Sequence, residues 1–476
     1  MTASWIAFLF YAGITLVIGR YAARKTGEGE DFWSAGRSLS GLSVGLSLSA
    51  GFMSISWSCV YAVQLFYWYG AGALWLVTIP WILALAGIYF LSKKYHGLSS
   101  FSQPEMIEKR FGKTLKKVVA LALAFVFLVW GGAEIYVAAS LLAPDLKTGV
   151  NIVIILISIF IAFYSVSGGF RAVVLTDKLQ YSIVALYIIV MGFLAFKGLR
   201  IEGVDIFSIP ASGIKSLSPW RDIFSPGIAL ISLTLIAYLP GWLFETDLWL
   251  RIQAAKDTGS ARKGVIIAGI NSILFVGIFP LFIGISALYL FPAEGGALPE
   301  IVGNEGDAIF SALLLKYAPQ WLRLFSSLGL VAVAMSTIDT CINVMALSIG
   351  YDIAEVSSRK RSKKLSRYFT LLSVFVTTIF ALIITSLWDI FYLSSGILTT
   401  AVALPVASVF IKGVKARPLL WSSVSGFTGT ILFYFLEKSE TFHSIEPAFL
   451  KDSGVGFILF GIVSAAMGYI FGSIKR

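Results

Sequence analysis

Apolar stretches of about 18 residues or more, long enough to cross a bilayer, recur thirteen times along the chain. They run at roughly 3–19, 39–66, 70–92, 115–142, 150–168, 173–196, 226–249, 264–292, 322–351, 368–387, 389–411, 418–436 and 454–473. Each predicts a spanning helix, because a helix satisfies its own backbone polar groups where lipid offers no partner. Several stretches exceed about 25 residues and must tilt, kink or protrude. The pattern predicts an all-α polytopic membrane protein with about 13 transmembrane helices.

The polar connectors predict the orientation. With the N-terminus outside, 28 of the 37 Lys and Arg residues fall on the cytoplasmic side, among them Arg251 and the run SSRKRSKKLSR (357–367). The opposite orientation inverts that ratio, so the positive-inside rule favours N-out and C-in. The run 357–367 then reads as a stop-transfer anchor, not a nucleic-acid patch. The net charge of +11 is the sum of loop charges facing an anionic leaflet. The longest connectors, 197–225 and 293–321, lie outside. The second contains GGALPE and NEGDAIFSALLLKY, which predict a turn and a short amphipathic helix in an outer lid.

Composition agrees. Of 476 residues, 57% are hydrophobic and 13% charged, with mean hydropathy +0.85. A soluble domain carries about 25% charged residues, so cytosolic enzymes, disordered proteins and disulfide scaffolds are excluded. Cys59 and Cys341 sit in apolar runs and read as buried small hydrophobes. The two histidines, His96 and His443, fall between apolar runs, which leaves none for an embedded zinc site or a His-based triad. The first apolar stretch lacks a charged n-region and a cleavage motif, so it reads as a retained helix.

Two stretches are interrupted. The second reads LSLSAGFMSISWS (46–58), with Gly51 among serines. The seventh reads LIAYLPGWLFET (235–246), with Pro240 next to Gly241. Proline removes a backbone donor and glycine tolerates unwound geometry. Transporters build sites at such breaks, in matching helices of two inverted halves. Five helices separate these two, which suits a 5+5 inverted repeat of helices 2–6 and 7–11. Gly51, Pro240 and Gly241 are the expected hinge or gate residues.

The ninth stretch carries a polar cluster. Ser336, Thr337 and Thr340 share a helical face, with Asp339 one turn from Ser336. Hydroxyls in membrane helices often bond the carbonyl four residues back. A mid-membrane carboxylate is harder to dismiss, since it costs about 2.5–3.5 kcal/mol on insertion scales. Hydroxyls together with carbonyls of an unwound segment would suit a small hard cation. Glu134, in VWGGAEIYVAAS (129–140), is a second such carboxylate. It could pair with an amine, accept from hydroxyls or stay protonated. Asp177, Glu245 and Asp247 read as lying near cytoplasmic helix ends, where water lowers the cost.

These stretches together resemble the sodium:solute symporter family. DFWSAGRSLSGLSVGLSLSAGFMSISW (31–57) is similar to the family's entry into its broken helix. VSGGFRAVVLTDKLQ (166–180), WLRIQAAKDTGSARKG (249–264) and AVAMSTIDTCIN (332–343) match three further family patterns, in order, over about residues 1–412. The resemblance implies the leucine-transporter fold and its 5+5 repeat. It implies a sodium site made by the carbonyls of Ala50, Met53 and Val333 and the hydroxyls of Ser336 and Thr337. A second sodium would draw on Asp177, Ser336, Asp339 and Thr340. The family members with that second ion have serine where Asp339 stands. The solute pocket is expected at Ser54, Trp57, Trp75, Trp130, Glu134 and Tyr238.

The expected organisation is a peripheral first helix and linker (1–38), a first repeat (39–198), an outer loop (199–225), a second repeat (226–412) and two peripheral helices (413–476). The expected function is sodium-coupled symport of a small organic solute by alternating access, at a cell membrane, with Na⁺ as coupling ion and no other cofactor. A neutral, zwitterionic or amine-bearing solute is favoured. The rival is a proton-coupled symporter using Asp339 or Glu134. A transport-like sensor is disfavoured, because no kinase or other soluble module follows the last helix. An enzyme is disfavoured because neither carboxylate has a histidine or metal cluster beside it.

Overall fold

The structure, a computed structural model, describes residues 3–25, 35–98, 100, 102–207, 211–216, 218–293, 297–355, 362–383, 387–439 and 455–474. The first four residues of the entry motif (31–34) and the basic residues 359–361 lie outside the described residues, as do Lys475, Arg476 and His443.

Every apolar stretch of the sequence falls on helix. In chain order these are α1 (Ala3–Lys25), α2 (Gly41–Phe52), α3 (Ile55–Trp75), α4 (Thr78–His96), α5 (Gln103–Phe111), α6 (Lys113–Leu146) and α7 (Val150–Ile201). They continue as α8 (Gly227–Leu243), α9 (Thr246–Ala254), α10 (Thr258–Leu290), α11 (Ile309–Tyr317), α12 (Gln320–Leu347), α13 (Ser362–Ile383), α14 (Leu387–Ile397), α15 (Leu404–Ser408), α16 (Ala416–Lys438) and α17 (Gly456–Ser473). Among the described residues, β-pairing is confined to two isolated bridges.

Seven spans meet the length and hydropathy of a membrane crossing among the described residues, and the bent pair α2–α3 makes an eighth. The thirteen expected spans therefore differ from the helices found in two ways. Stretches 150–168 and 173–196 share the continuous 52-residue helix α7, with no intervening loop. At about 1.5 Å per residue it is far longer than a bilayer core is thick. Its apolar parts are Val150–Phe163 and Phe170–Ile201. Stretch 70–92 falls mainly on α4 (Thr78–His96), which has 19 residues but ends in Lys93, Lys94 and His96 and is not among the spans that meet both length and hydropathy.

Two of the quoted sequence motifs meet in space. Leu39, just before α2, donates its N–H to the Ala254 carbonyl at 2.9 Å, and Lys256 donates back to the Leu39 carbonyl at 3.0 Å. The chain entering the first broken helix is thereby pinned to the chain leaving the second. Beyond that pin, α2 lies tightly along α10. A Cβ on Gly264 would stand 2.4 Å from Val44 Cγ1, so glycine there is what permits the approach. Helix α12 packs against α6 and α7 and along α2. The expected amphipathic helix outside is present as α11, clipped to the end of α7 by Lys316–Glu202 at 3.0 Å and by Lys197 to the Tyr317 carbonyl at 3.0 Å. The Lys316 ammonium, as hydrogen-bond donor, holds the exposed Glu202 carboxyl below its ordinary range.

Candidate functional site

Both expected breaks exist, each a few residues beyond the glycine or proline that announced it. Gly51 is still helical. The helix ends at Met53 (ψ 52°) and Ser54 (ψ 164°), and α3 leaves at 62° to α2. Ser54 caps the new start by accepting the Trp57 N–H at 2.9 Å, and Ser58 donates to the Phe52 carbonyl at 3.0 Å. Pro240 and Gly241 are likewise inside α8, and the chain breaks at Phe244 and Glu245. The Gln103 side chain covers that break. It donates to the Phe244 carbonyl at 2.9 Å and accepts from Thr246 Oγ1 at 2.5 Å. Hydroxyls and an amide thus replace the water that a break in lipid would lack.

What Pro240 and Gly241 do is open α8 locally. The Thr399 hydroxyl accepts from the Gly241 N–H at 3.1 Å and donates to the Ala237 carbonyl at 2.5 Å. It sits where the direct bond between residues four apart would run. A Cβ on Gly241 would lie 2.9 Å from Thr399 Oγ1 and 3.0 Å from its backbone nitrogen.

The first break meets the polar cluster of α12. Ser336 Oγ donates to the Ala50 carbonyl at 3.1 Å, and Thr337 Oγ1 to the Gly51 carbonyl at 3.4 Å. Ser336 is fully buried. Met53, where the helix opens, has its N–H bonded to the Ser49 carbonyl, and Val333 lies on α12 three residues before Ser336. Of the residues expected to hold one sodium, Ser336 thus meets Ala50, while Thr337 meets the neighbouring Gly51.

The residues named for a second ion are arranged differently. Asp177 and Thr340 are joined by the Arg251 guanidinium, whose Nη2 donates to Asp177 Oδ2 at 3.2 Å and to Thr340 Oγ1 at 2.9 Å. Its Nη1 reaches Asp247 Oδ2 at 3.2 Å and its Nε reaches Ser47 Oγ at 2.8 Å. Ser47 in turn donates to Asp177. Arg251 and Asp177 are both 0% exposed. Arg251 is thus not one of the solvated cytoplasmic cations that the orientation argument counted. Asp339 accepts from Thr176 Oγ1 at 3.3 Å.

Between the breaks lies a cavity. Ser54, Trp57, Trp130 and Glu134 line it, as expected. Trp75 does not; it stacks on Phe224 with ring centres 6.3 Å apart. Tyr238 stands behind the wall, stacked on Trp242 at 5.5 Å. Sequence reasoning missed Trp81 and Trp242, which stack at 5.3 Å, with Trp57 edge-on to Trp242 at 5.4 Å. It also placed Glu245 and Asp247 in water, whereas each is 6% exposed and lines the cavity. The R-x-x-A-A-K pattern at 251–256 was the available signal for this cluster. Cys341 is buried at the cavity wall.

Residues 32–426 match the profile of the sodium:solute symporter family. The chain is 22% identical to an uncharacterized symporter of Bacillus subtilis, over 99% of this chain and 93% of that protein. It is 27% identical to a sodium/glucose cotransporter of Vibrio parahaemolyticus, over 71% of this chain and 64% of that protein. Among solved structures, a Na⁺-coupled sialic acid symporter in a substrate-bound, outward-open state superposes with a TM-score of 0.71. The superposition covers 100% of this chain and 98% of that one at 17% identity, a likeness of fold.

Proposed function

The chain belongs to the sodium:solute symporter family, a multi-pass membrane protein whose coupling ion is Na⁺, and from that premise we propose that it carries a small organic solute inward with one sodium ion. The solute is neutral, zwitterionic or amine-bearing, and the cycle is alternating access between the two inverted repeats, N-terminus outside. The observation that carries the reading is the pair of contacts from Ser336 and Thr337 to the Ala50 and Gly51 carbonyls. Sodium would replace these weak contacts, taking the two hydroxyl oxygens, the Ala50 and Met53 carbonyls at the bend and the Val333 carbonyl. Such an all-oxygen set suits a hard cation. By tying the bend to α12 it would order the adjoining cavity, since Thr337 and Ser54 both line that cavity.

A count of one ion is supported by Arg251. A tethered cation already lies between Asp177 and Thr340, two of the four residues that a second sodium would use. The test is uptake into proteoliposomes under a sodium gradient. Wild type should accumulate solute only with sodium outside, and Ser336→Ala with Thr337→Ala should abolish that dependence. Sodium-driven uptake that survives the double substitution rules out the assigned site.

A further inference from the structure

The cavity combines hydrogen-bonding groups with aromatic faces. Its hydroxyls are engaged: Ser54 with Ser56 and the Trp57 N–H, Ser56 with Glu134, Thr337 with Gly51, and Thr340 with the Ser336 carbonyl. Three carboxylate oxygens on the cavity-lining residues are buried without a hydrogen-bond partner among the described residues: Glu134 Oε2, Glu245 Oε2 and Asp247 Oδ1. The same wall also carries the indole N–H donors of Trp57, Trp81 and Trp130. No lysine or arginine lines the cavity among the described residues. Arg251, just behind Asp247, spends its donors on Ser47, Asp177, Asp247 and Thr340.

Glu134 is the most pointed of the three. It is 3% exposed, and its other oxygen accepts from Ser56 in the first turn of α3. A helix N-terminus favours a negative charge, which offsets part of the cost of burying this carboxylate. Indole rings supply the rest of the wall. Trp57, Trp81 and Trp242 form one contiguous aromatic group, and Trp130 packs edge-on to Phe127 at 5.2 Å.

We propose that the solute is a small organic ammonium ion, paired with Glu134 and seated against the faces of Trp57, Trp81 and Trp242. The proposal rests on the transport reading above and narrows it. An ammonium group offers donors and no acceptor, which suits the unpartnered Oε2 of Glu134. Tryptophan faces attract a desolvated cation. An anion or a zwitterion's carboxylate would meet three carboxylates and no free cation.

The experiment uses the purified full-length protein in detergent. Intrinsic tryptophan fluorescence and thermal stability are titrated with propylammonium, tetramethylammonium, glycine, propionate, 1-propanol and myo-inositol, in sodium chloride and again in potassium chloride. Propylammonium should bind at least about tenfold more tightly than propanol or propionate, since one charge-assisted contact is worth about that factor, whereas tetramethylammonium, which has no N–H, reads the aromatic faces and the charge alone. Glu134→Gln should remove that advantage and Glu134→Asp should keep part of it. A sodium-induced rise in melting temperature shows that each variant is folded, and if Glu134→Gln is not, the wild-type ligand series decides alone. Tighter binding of myo-inositol, glycine or propionate than of either ammonium ion overturns the proposal, as does an unchanged ammonium affinity in folded Glu134→Gln. Stabilisation by sodium with no ammonium binding sinks the solute class and leaves sodium coupling standing. Ammonium binding that is equal in sodium and potassium does the reverse.

Discussion

Arg251 donates to Asp177 across 3.2 Å with neither side chain exposed to solvent. One residue comes from α9, just beyond the second break, and the other from the middle of α7. With Asp247, Ser47 and Thr340 around the same guanidinium, a single cation joins α2, α7, α9 and α12. A buried charge needs a partner and hydrogen bonds on every face, and here it has both.

Removing that cation should therefore be severe. Arg251→Met leaves Asp177 and Asp247 facing each other without compensation, and breaking a buried pair costs about 3–5 kcal/mol. The expected result is a large drop in melting temperature or loss of folded protein. Arg251→Met combined with Asp177→Leu and Asp247→Leu should recover part of the stability without recovering transport. Recovery of nothing would show that the guanidinium acts through something other than these two carboxylates.

Gly241→Ala is expected to fail through α14–α15, not through the solute. The added methyl would fall 2.9 Å from the Thr399 hydroxyl and 3.0 Å from its backbone nitrogen, closer than packed atoms tolerate. Overpacking of this kind costs about 1–3 kcal/mol. Thr399→Ala removes the hydroxyl that bridges Gly241 and Ala237, but leaves the backbone clash. The double variant should regain less than half of the lost stability in a thermal melt.

Gln103 gives a finer probe. Its amide donates to Phe244 and accepts from Thr246 at the second break. Gln103→Leu strips both partners and leaves buried polar groups unpaired, at about 1–3 kcal/mol each. Gln103→Glu keeps the acceptor for Thr246 and loses only the donor. Transport rate should fall in the order wild type, glutamate, leucine, while sodium half-saturation stays put. An equal loss in both variants would mean the donor to Phe244 carries the whole effect.

Much of this arrangement was legible in the sequence, and the exceptions have physical causes. Apolar run length announced the long helices, because lipid demands it, whereas the short helices α5 and α9 lie largely outside those runs. Gly51 and Pro240–Gly241 announced the breaks but not their positions. A helix can absorb one missing donor if a hydroxyl such as that of Thr399 replaces it, so the opening moves on to Phe244. The α12 cluster was legible because hydroxyls and a carboxylate are conspicuous in an apolar run. Arg251 was misread because a positive charge near a helix end looks solvated until its partners are known, and those partners come from three other helices. Trp81 and Trp242 were invisible for the opposite reason: tryptophan in a membrane helix is ordinary, and only the bend brings these rings together.

The last prediction concerns charge. If the solute is a cation carried with one sodium, two positive charges cross per solute; a neutral solute with one sodium moves one. Simultaneous measurement of current and solute flux in proteoliposomes reads this ratio directly. It also sets the accumulation limit. At about −100 mV each charge contributes about 2.3 kcal/mol, and a tenfold sodium gradient adds about 1.4 kcal/mol. A neutral solute could then concentrate about 500-fold, from about 3.7 kcal/mol, and a monovalent cation about 20,000-fold, from about 6.0 kcal/mol. A ratio of two with an ammonium solute fits Glu134 as its partner and Arg251 as the fixed occupant between Asp177 and Thr340. A ratio of three would mean that a second sodium enters despite the guanidinium, and the single-ion count would have to be given up.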